Sequence, residues 1–541
     1  MTIAEKIIRL RTSKKMSQEK LANLLGVSRQ AVSRWEAGES IPGTENLKEI
    51  CKLFSISSDQ LLRDDLSIRT VPSCMPEIAE SDIQLKYFGT DGFRGNANVE
   101  LTTDHAYKIG RFLGWYYRQA SSHPKVVIGK DTRRSSYALE YSVAAGLASS
   151  GADVCLLHVT TTPSVSYVIR QDGFDCGIMI TASHNPYHDN GIKVINGDGE
   201  KLDDKVAYLI ESYLDGNLDV LGVQGDDLPF ASEGNIGSIE DYSAGRNRYI
   251  GYLISLAKHS LRSLRIGLDC ANGSSWMIAK SVFQALGAQA TVIGDSPDGM
   301  NINRGCGSTH IESLKELVLN NHLDMGFAFD GDADRCLAVD EKGMIVDGDK
   351  ILYLLAKKLK DEGALEGNTV VATIMSNSGL AKALKQEGIS CVATQVGDRF
   401  VYERMLKDNF SLGGEQSGHI IIKKYATTGD GILTALMIAE EVVERKARLS
   451  LLVEGMKPLP QITTNVYVSD KGMAIRDKGV QKEVEEAKKE LGDNGRLLVR
   501  QSGTEPLIRI TAECETTELC QMYIQRIYEK IKEGGYLNES K

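Results

Sequence analysis

Apolar and polar positions change rhythm twice along this 541-residue chain. From residue 1 to about 66 they recur with a helical period. Ile3, Ile7, Ile8 and Leu10 fall on one predicted helical face. Ser17 is placed to cap a second helix that stops near Gly26. Ser28 can cap a third running to about Glu36, and Thr44 a fourth with Leu47, Ile50 and Phe54 inward. Periodicity then fails. The stretch "DDLSIRTVPSCMPEIAESDIQ", 64–84, carries two prolines and several acids and predicts a linker at 67–84.

Beyond it one pattern recurs three times: a β-branched strand, a helix ending at a glycine, and a second apolar strand. The copies are "KVVIGKD" to Gly151 and "ADVCLLHV", "RIGLDC" to Gly287 and "AQATVIG", and "TVVATIM" to Gly388 and "ISCVATQV". From about 458 the order changes to a strand "TTNVYV", a charged helix around Val484 to Leu491, strands "RLLVR" and "LIRITAE", and a last helix. The predicted class is α/β: a small all-α head at 1–66, then three similar α/β domains with mixed sheets at 85–238, 239–345 and 346–457, then an α+β domain at 458–541.

Charge divides the chain the same way. The whole carries a net −10, which excludes a general polyanion binder. The first 54 residues hold ten Lys and Arg against six Glu, a basic head on an acidic body. Ten cysteines are scattered without CxxC spacing, which argues against zinc or a disulfide framework. No apolar run approaches the roughly 20 residues of a membrane span, and the amphipathic start lacks the apolar core of a signal peptide. A cytoplasmic protein without a membrane partner is expected.

The chemistry is carried by four stretches. In "DGDADR", 330–335, a loop between two apolar strands holds Asp330, Asp332 and Asp334 separated only by Gly and Ala. Three hard oxygen ligands on one tight loop suit Mg²⁺; the bland alternative is a solvated acidic turn. In "RQSGTEPLIR", 500–509, Ser502, Gly503 and Thr504 form a tight turn between Arg500 and Arg509, a better nest for a phosphate than a plain turn needs. "GGEQSGH", 413–419, offers Glu415, Ser417 and His419 as hydrogen-bonding groups for a polyol, a weak signal alone. "TASHNP", 181–186, ends a buried strand on Ser183. A serine that carries a phosphoryl group needs the other three: a cation, an anion nest and a sugar reader. His184 and Lys193 are the near candidates for the base.

These motifs, with "FGTDGFRG" at 88–95 before them, occur in the order and roughly the spacing of the α-D-phosphohexomutases. The resemblance covers about Leu85 to the C-terminus. "DCANG" at 269–273, "MNINRGCGSTH" at 300–310 and Gln416 resemble the phosphoglucosamine mutase branch most. The resemblance implies four domains around a central cleft. It also implies interconversion of glucosamine 6-phosphate and glucosamine 1-phosphate through phosphorylated Ser183 and a glucosamine 1,6-bisphosphate. By the same resemblance, Asp330, Asp332 and Asp334 hold Mg²⁺ with the Ser183 phosphate. Glu415 and Ser417 read the sugar, and Arg500, Ser502, Gly503, Thr504 and Arg509 clamp the idle phosphate. Arg94 and Lys193 are cations near the transfer. Gln501 stands where the family usually has proline, which leaves the clamp loop less stiff.

"SQEKLANLLGVSRQAVSRWEAGESIP", 17–42, is similar to the helix-turn-helix of the lambda-repressor and Cro group. It implies a duplex DNA partner read by Arg29, Gln30, Ser33 and Arg34. The competing reading of the head is a protein-binding bundle. For the whole chain the alternatives are a regulator that uses the mutase fold as a sugar-phosphate sensor, and phosphoglucomutase or phosphomannomutase activity. A homodimer of the enzyme half would bring two heads together.

Overall fold

Strand β3, Lys125–Lys130, buries both its faces. In this computed structural model Val126 and Ile128 enter one apolar core and Val127 another. That is why the stretch reads as a continuous apolar run. The structure describes residues 2–13, 16–54, 61–62, 78, 83–492, 495–502 and 506–538. The expected linker falls almost wholly outside them. The chain packs as two units, Met1–Ile345 with His419–Lys446, and Val346–Gly418 with Ala447–Lys541.

In the first unit the head consists of α1 Ile3–Ser13, α2 Gln18–Leu24, α3 Arg29–Glu36 and α4 Thr44–Phe54. Ser17 and Ser28 cap α2 and α3, their side chains accepting from the N–H of Lys20 and Ala31. Thr44 is the first residue of α4 rather than its cap. Ile7, Leu10, Leu21, Val32, Trp35, Ile50 and Phe54 form the core. Ile8 departs from the expected inward face and is 37% exposed, because it lies about 100° around the helix from Ile7.

The first sheet has the order β1-β2-β6-β5-β3-β4-β7. Its strands are β1 Phe88–Gly89, β2 Gly92–Asn96, β3, β4 Asp153–Val159, β5 Cys176–Ile180, β6 Asp189–Asn196 and β7 Ile239–Asp241. β3 runs parallel to β4 and β5; β6 is antiparallel to β5 and β2. Helices α5 Thr103–Arg118, α6 Arg134–Ser149 and α8 Asp204–Leu214 cover one face. Helix α7 Thr162–Asp172 covers the other, next to α9 Ser243–Leu256. Strands β8 Arg265–Asp269, β9 Gln289–Ile293, β10 Met325–Phe329 and β11 Cys336–Asp340 continue the unit in the order β11-β10-β8-β9, with α10 Ile278–Ala285 and α11 Glu312–Asn320. β10 and β11 are antiparallel, and Phe329 pairs with Cys336 across the six residues 330–335.

In the second unit the strand Thr369–Thr373 is flanked in parallel by Ser390–Thr394 and Leu412–Gly414. A separate antiparallel sheet places Leu507–Glu513 between Gln461–Tyr467 and Arg496–Gln501, under helices Lys478–Leu491 and Thr517–Glu533. Each of the three sequence repeats yields a parallel strand pair, with its helix between the two strands in sequence. Among the described residues no helix is long and apolar enough to cross a membrane, and all the described cysteines are free.

Candidate active site

β5 ends at Ile180 and the chain turns at once. The Thr181 hydroxyl accepts from Ser183 N–H at 2.9 Å, and Ser183 adopts φ 51°, a left-handed conformation that costs a non-glycine residue on the order of 1 kcal/mol. Three groups hold it there. Asn303 Nδ2 donates to the carbonyl oxygens of Ser183 at 2.9 Å and Asn185 at 3.0 Å. Arg133, buried against Asp131, donates to the same two oxygens at 3.2 and 2.6 Å. The loop 330–335 packs beneath: a Cβ on Gly331 would lie 2.4 Å from the Ser183 carbonyl, so only glycine fits.

The turn delivers the Ser183 hydroxyl to the carboxylates. It donates to Asp330 Oδ2 at 2.5 Å, and His184 Nδ1 lies 3.3 Å away. Asp330, Asp332 and Asp334 are all buried, and their ligand oxygens lie within 4.8 Å of one another. Lys193, from the middle of β6, donates to Asp332 Oδ2 at 2.6 Å and Asp334 Oδ2 at 3.2 Å. Arg94 on β2 pairs with Asp91 at 3.1 Å, and Lys201 with the same carboxylate at 3.0 Å. Asp91 was not among the expected site residues; it joins Arg94, three residues on in the same motif, to Lys201 from beyond β6.

Electrostatics follow from this crowding. Burial, then Asp334 and Asp332, push the Asp330 carboxyl well above its ordinary range. Burial pushes Asp334 the same way, but Lys193, His419 and Arg335 outweigh it and hold it well below. Burial would discharge Lys193; Asp332, Asp334 and Asp91 outweigh that and raise it. His184 is lowered to about 4 by burial, with Arg335 and Arg94 adding to it.

The donor set fits a hard divalent cation. Asp332 Oδ1 and Asp334 Oδ1 are buried without a hydrogen-bond donor, a costly state for a carboxylate oxygen that an oxygen-preferring metal relieves. Lys193 occupies the other oxygens of the same two groups, so it does not satisfy these.

The remaining expected residues divide. His419, grouped by sequence with the sugar readers, is buried in the first unit. Its Nε2 accepts from Gly429 N–H at 3.0 Å and its Nδ1 lies 3.6 Å from Asp334 Oδ1, so the ring supports the carboxylate loop. Glu415 and Ser417 lie in the second unit. Glu415 Oε1 accepts from Gly397 N–H at 3.1 Å, and Ser417 Oγ is 3.4 Å from Glu415 Oε2. Arg500 and Arg509 sit directly opposite each other on antiparallel strands, an unfavourable pairing of like charges unless an anion lies nearby. Lys471, which sequence reasoning missed, donates to the Ser502 carbonyl at 2.8 Å. Gly503 and Thr504 lie outside the described residues. On the head, Arg29, Gln30, Ser33 and Arg34 are all exposed on α3, while Val32 and Trp35 are buried.

Comparison with known proteins bears on this arrangement directly. Four consecutive segments match the phosphoglucomutase/phosphomannomutase family: alpha/beta/alpha domain I over 85–219, domain II over 247–343, domain III over 347–459 and the C-terminal domain over 464–530. The chain belongs to the phosphohexomutase family. It is 56% identical over 453 residues to the phosphoglucosamine mutase of Lachnospira eligens, covering 83% of this chain and 99% of that one. It is 47% identical over 447 residues to that of Bacillus subtilis, covering 83% and 98%. The enzyme half is thus an intramolecular phosphotransferase of the phosphoglucosamine mutase kind. Residues 7–61 match a helix-turn-helix family. Among solved structures, a phosphoglucomutase/phosphomannomutase family protein of Burkholderia thailandensis shares the fold, with TM-score 0.69 and 23% identity over 83% of this chain and 97% of that one. So does an Aspergillus fumigatus N-acetylphosphoglucosamine mutase solved with GlcNAc-6P and magnesium, with TM-score 0.54 and 17% identity over 84% and 96%.

Proposed function

We propose that this phosphohexomutase interconverts glucosamine 6-phosphate and glucosamine 1-phosphate, with Ser183 as phosphoryl carrier and glucosamine 1,6-bisphosphate as intermediate. The observation that carries the reading is the Ser183 hydroxyl, set in a strained turn at 2.5 Å from one of three buried carboxylates. Phosphoglucosamine mutase relatives at 47–56% identity support the amino-sugar substrate. Asp330, Asp332 and Asp334 would hold Mg²⁺, which supplies positive charge to the phosphoryl oxygens. In the first transfer the Oγ–phosphorus bond breaks as a sugar oxygen bonds to phosphorus; in the second the bisphosphate's other sugar oxygen–phosphorus bond breaks as Oγ bonds to that phosphorus. Each time the attacking hydroxyl's proton leaves to a base and the departing oxygen gains one: the serine oxygen in the first step, the sugar oxygen in the second. His184 Nδ1, 3.3 Å from Oγ, is placed to hold a proton beside the serine. Lys193, with its donors committed to two carboxylates, serves as a fixed cation instead. Arg94 adds a second cation near the transfer. Glu415 and Ser417 read the sugar, and Arg500, Ser502, Gly503, Thr504 and Arg509 clamp the phosphate that does not move, with Lys471 fixing the Ser502 carbonyl. The test is turnover of glucosamine 6-phosphate against glucose 6-phosphate and mannose 6-phosphate. A preference for either of the last two overturns the substrate; turnover of none favours a sensor.

The head is proposed to bind duplex DNA through Arg29, Gln30, Ser33 and Arg34. Support comes from the helix-turn-helix match and from the exposure of all four on one face of α3. Guanidinium and amide groups on such a face suit guanine and adenine edges in a major groove.

A further inference from the structure

The reaction site stands at the end of β5 and leaves another crevice of the same sheet unused. The connection from β3 through α6 to β4 crosses one face. The next, from β4 through α7 to β5, crosses the other, because β4 and β5 flank β3. Adjacent strands whose exits diverge to opposite faces leave a gap above their carboxyl ends, the usual place for a ligand in an open α/β sheet. Here the gap above β3 and β4 is a cavity of about 750 Å³, within the size range of small-molecule sites.

The crevice is open to solvent, with Arg134 and Tyr137 of its lining exposed. Thr132 and Arg134 come from the end of β3, His158 from the end of β4, Arg246 from α9, and Trp276 from the loop after β8. Among the described residues neither Arg134 nor Arg246 forms an ion pair; Arg246 reaches only the Val159 carbonyl, at 3.4 Å. The acid of the lining, Asp298, turns its Oδ1 to Met300 N–H at 2.7 Å. Two guanidinium groups at one crevice, neither paired to a carboxylate, are placed to receive an anion, and the geometry of such forks suits phosphate. Tyr137 and Trp276 add aromatic surface, which suits a planar ring.

We infer that this crevice binds a nucleoside phosphate, at a site separate from the reaction centre. Its walls lead back to the serine. Arg134 N–H donates to the Gly299 carbonyl at 2.9 Å, joining the segment 132–134 to the segment 297–303. Arg133 on the first and Asn303 on the second are the groups that hold the Ser183 carbonyl. A ligand that shifts either wall therefore shifts the nucleophile.

The experiment is equilibrium dialysis of the full chain with AMP, ADP and inorganic phosphate, in wild type and in Arg134→Ala, Arg246→Ala, Tyr137→Ala and Arg500→Ala. Thermal melts confirm that each variant is folded. The expected result is saturable AMP and ADP binding, weakened about tenfold or more by Arg134→Ala and by Arg246→Ala and unchanged by Arg500→Ala. Inorganic phosphate should bind more weakly, and Tyr137→Ala should weaken AMP. No saturable binding at millimolar nucleotide overturns the site, as does binding lost in Arg500→Ala but kept in the other arginine variants. Phosphate that binds as tightly as AMP, or AMP binding untouched in Tyr137→Ala, overturns the nucleoside. AMP should also change kcat for the sugar phosphate, and this change should vanish in Arg246→Ala; an unchanged kcat with AMP bound overturns the link to Ser183. Failure of the sugar-phosphate reading would leave the nucleotide measurements standing, since they do not use that substrate.

Discussion

The hydroxyl of Ser183 donates to Oδ2 of Asp330 at 2.5 Å, between residues 147 positions apart in sequence. In the proposed reaction this serine carries the phosphoryl group and the neighbouring carboxylates would hold the cation that offsets its charge. Replacing it should therefore separate chemistry from folding. Ser183→Ala should lower turnover by about a thousandfold or more, on the order of 4 kcal/mol in barrier. Intact-mass analysis should find one phosphate on the wild-type chain and none on the variant. Substantial turnover in the variant would sink the carrier role.

The second expectation concerns the buried Oδ1 atoms of Asp332 and Asp334, which accept no hydrogen bond. Excess chelator should abolish turnover and Mg²⁺ restore it. Asp332→Asn should weaken metal affinity at least about tenfold, the scale seen even for residues one shell further out, while the circular dichroism spectrum stays as in wild type. Full activity in chelator would refute the metal loop.

The third concerns Asn303, whose amide spans the carbonyls of Ser183 and Asn185. Asn303→Ala removes both bonds from a left-handed turn. kcat should fall by about ten- to a hundredfold with KM little changed, because a nucleophile displaced by about 1 Å loses that much. Metal affinity, measured separately, should hold. A change confined to KM would assign Asn303 to substrate binding instead.

Asp349 gives a pH-dependent stability. Burial, with Asp347 and Glu513 nearby, raises its carboxyl from 3.8 to about 7 against the hydrogen bond from Asn377 N–H. The folded state thus holds a proton that the unfolded chain releases. Its stabilisation is full below about pH 4 and is lost as pH rises towards 7, by on the order of a few kcal/mol. Thermal midpoints between pH 4 and 8 should decline with this slope in wild type and flatten in Asp349→Asn. An identical slope in both would show that other groups carry it.

The last expectation concerns the head. The full chain should bind duplex DNA with an affinity that falls as salt rises. Arg29→Ala and Gln30→Ala should reduce sequence preference more than non-specific binding. No binding at low salt would favour protein docking for the exposed face of α3.

Much of this protein was legible in the order of its residues, because the decisive signals were local. Strand, helix and strand of each repeat lie within a few dozen positions, so apolar rhythm and a closing glycine suffice to place them. The same holds for the caps Ser17 and Ser28, and for three aspartates spaced two apart between apolar strands. Sequence also pointed to Ser183, a serine in the polar stretch "TASHNP" directly after a buried strand. What it could not determine was which side chains converge. His419 reads as a neighbour of Glu415 and Ser417, yet its ring turns to Asp334, because β10 and β11 present their connecting loop to the residues that follow Gly418. Asn303 and Arg133 gave no sign that they meet at the carbonyls of Ser183 and Asn185, which lie 50 or more positions away from each of them. The crevice above β3 and β4 exists only because two connections cross opposite faces of one sheet, a property of strand order. Local backbone preference is written along the chain, whereas the meeting of distant charges in a buried place is decided by packing.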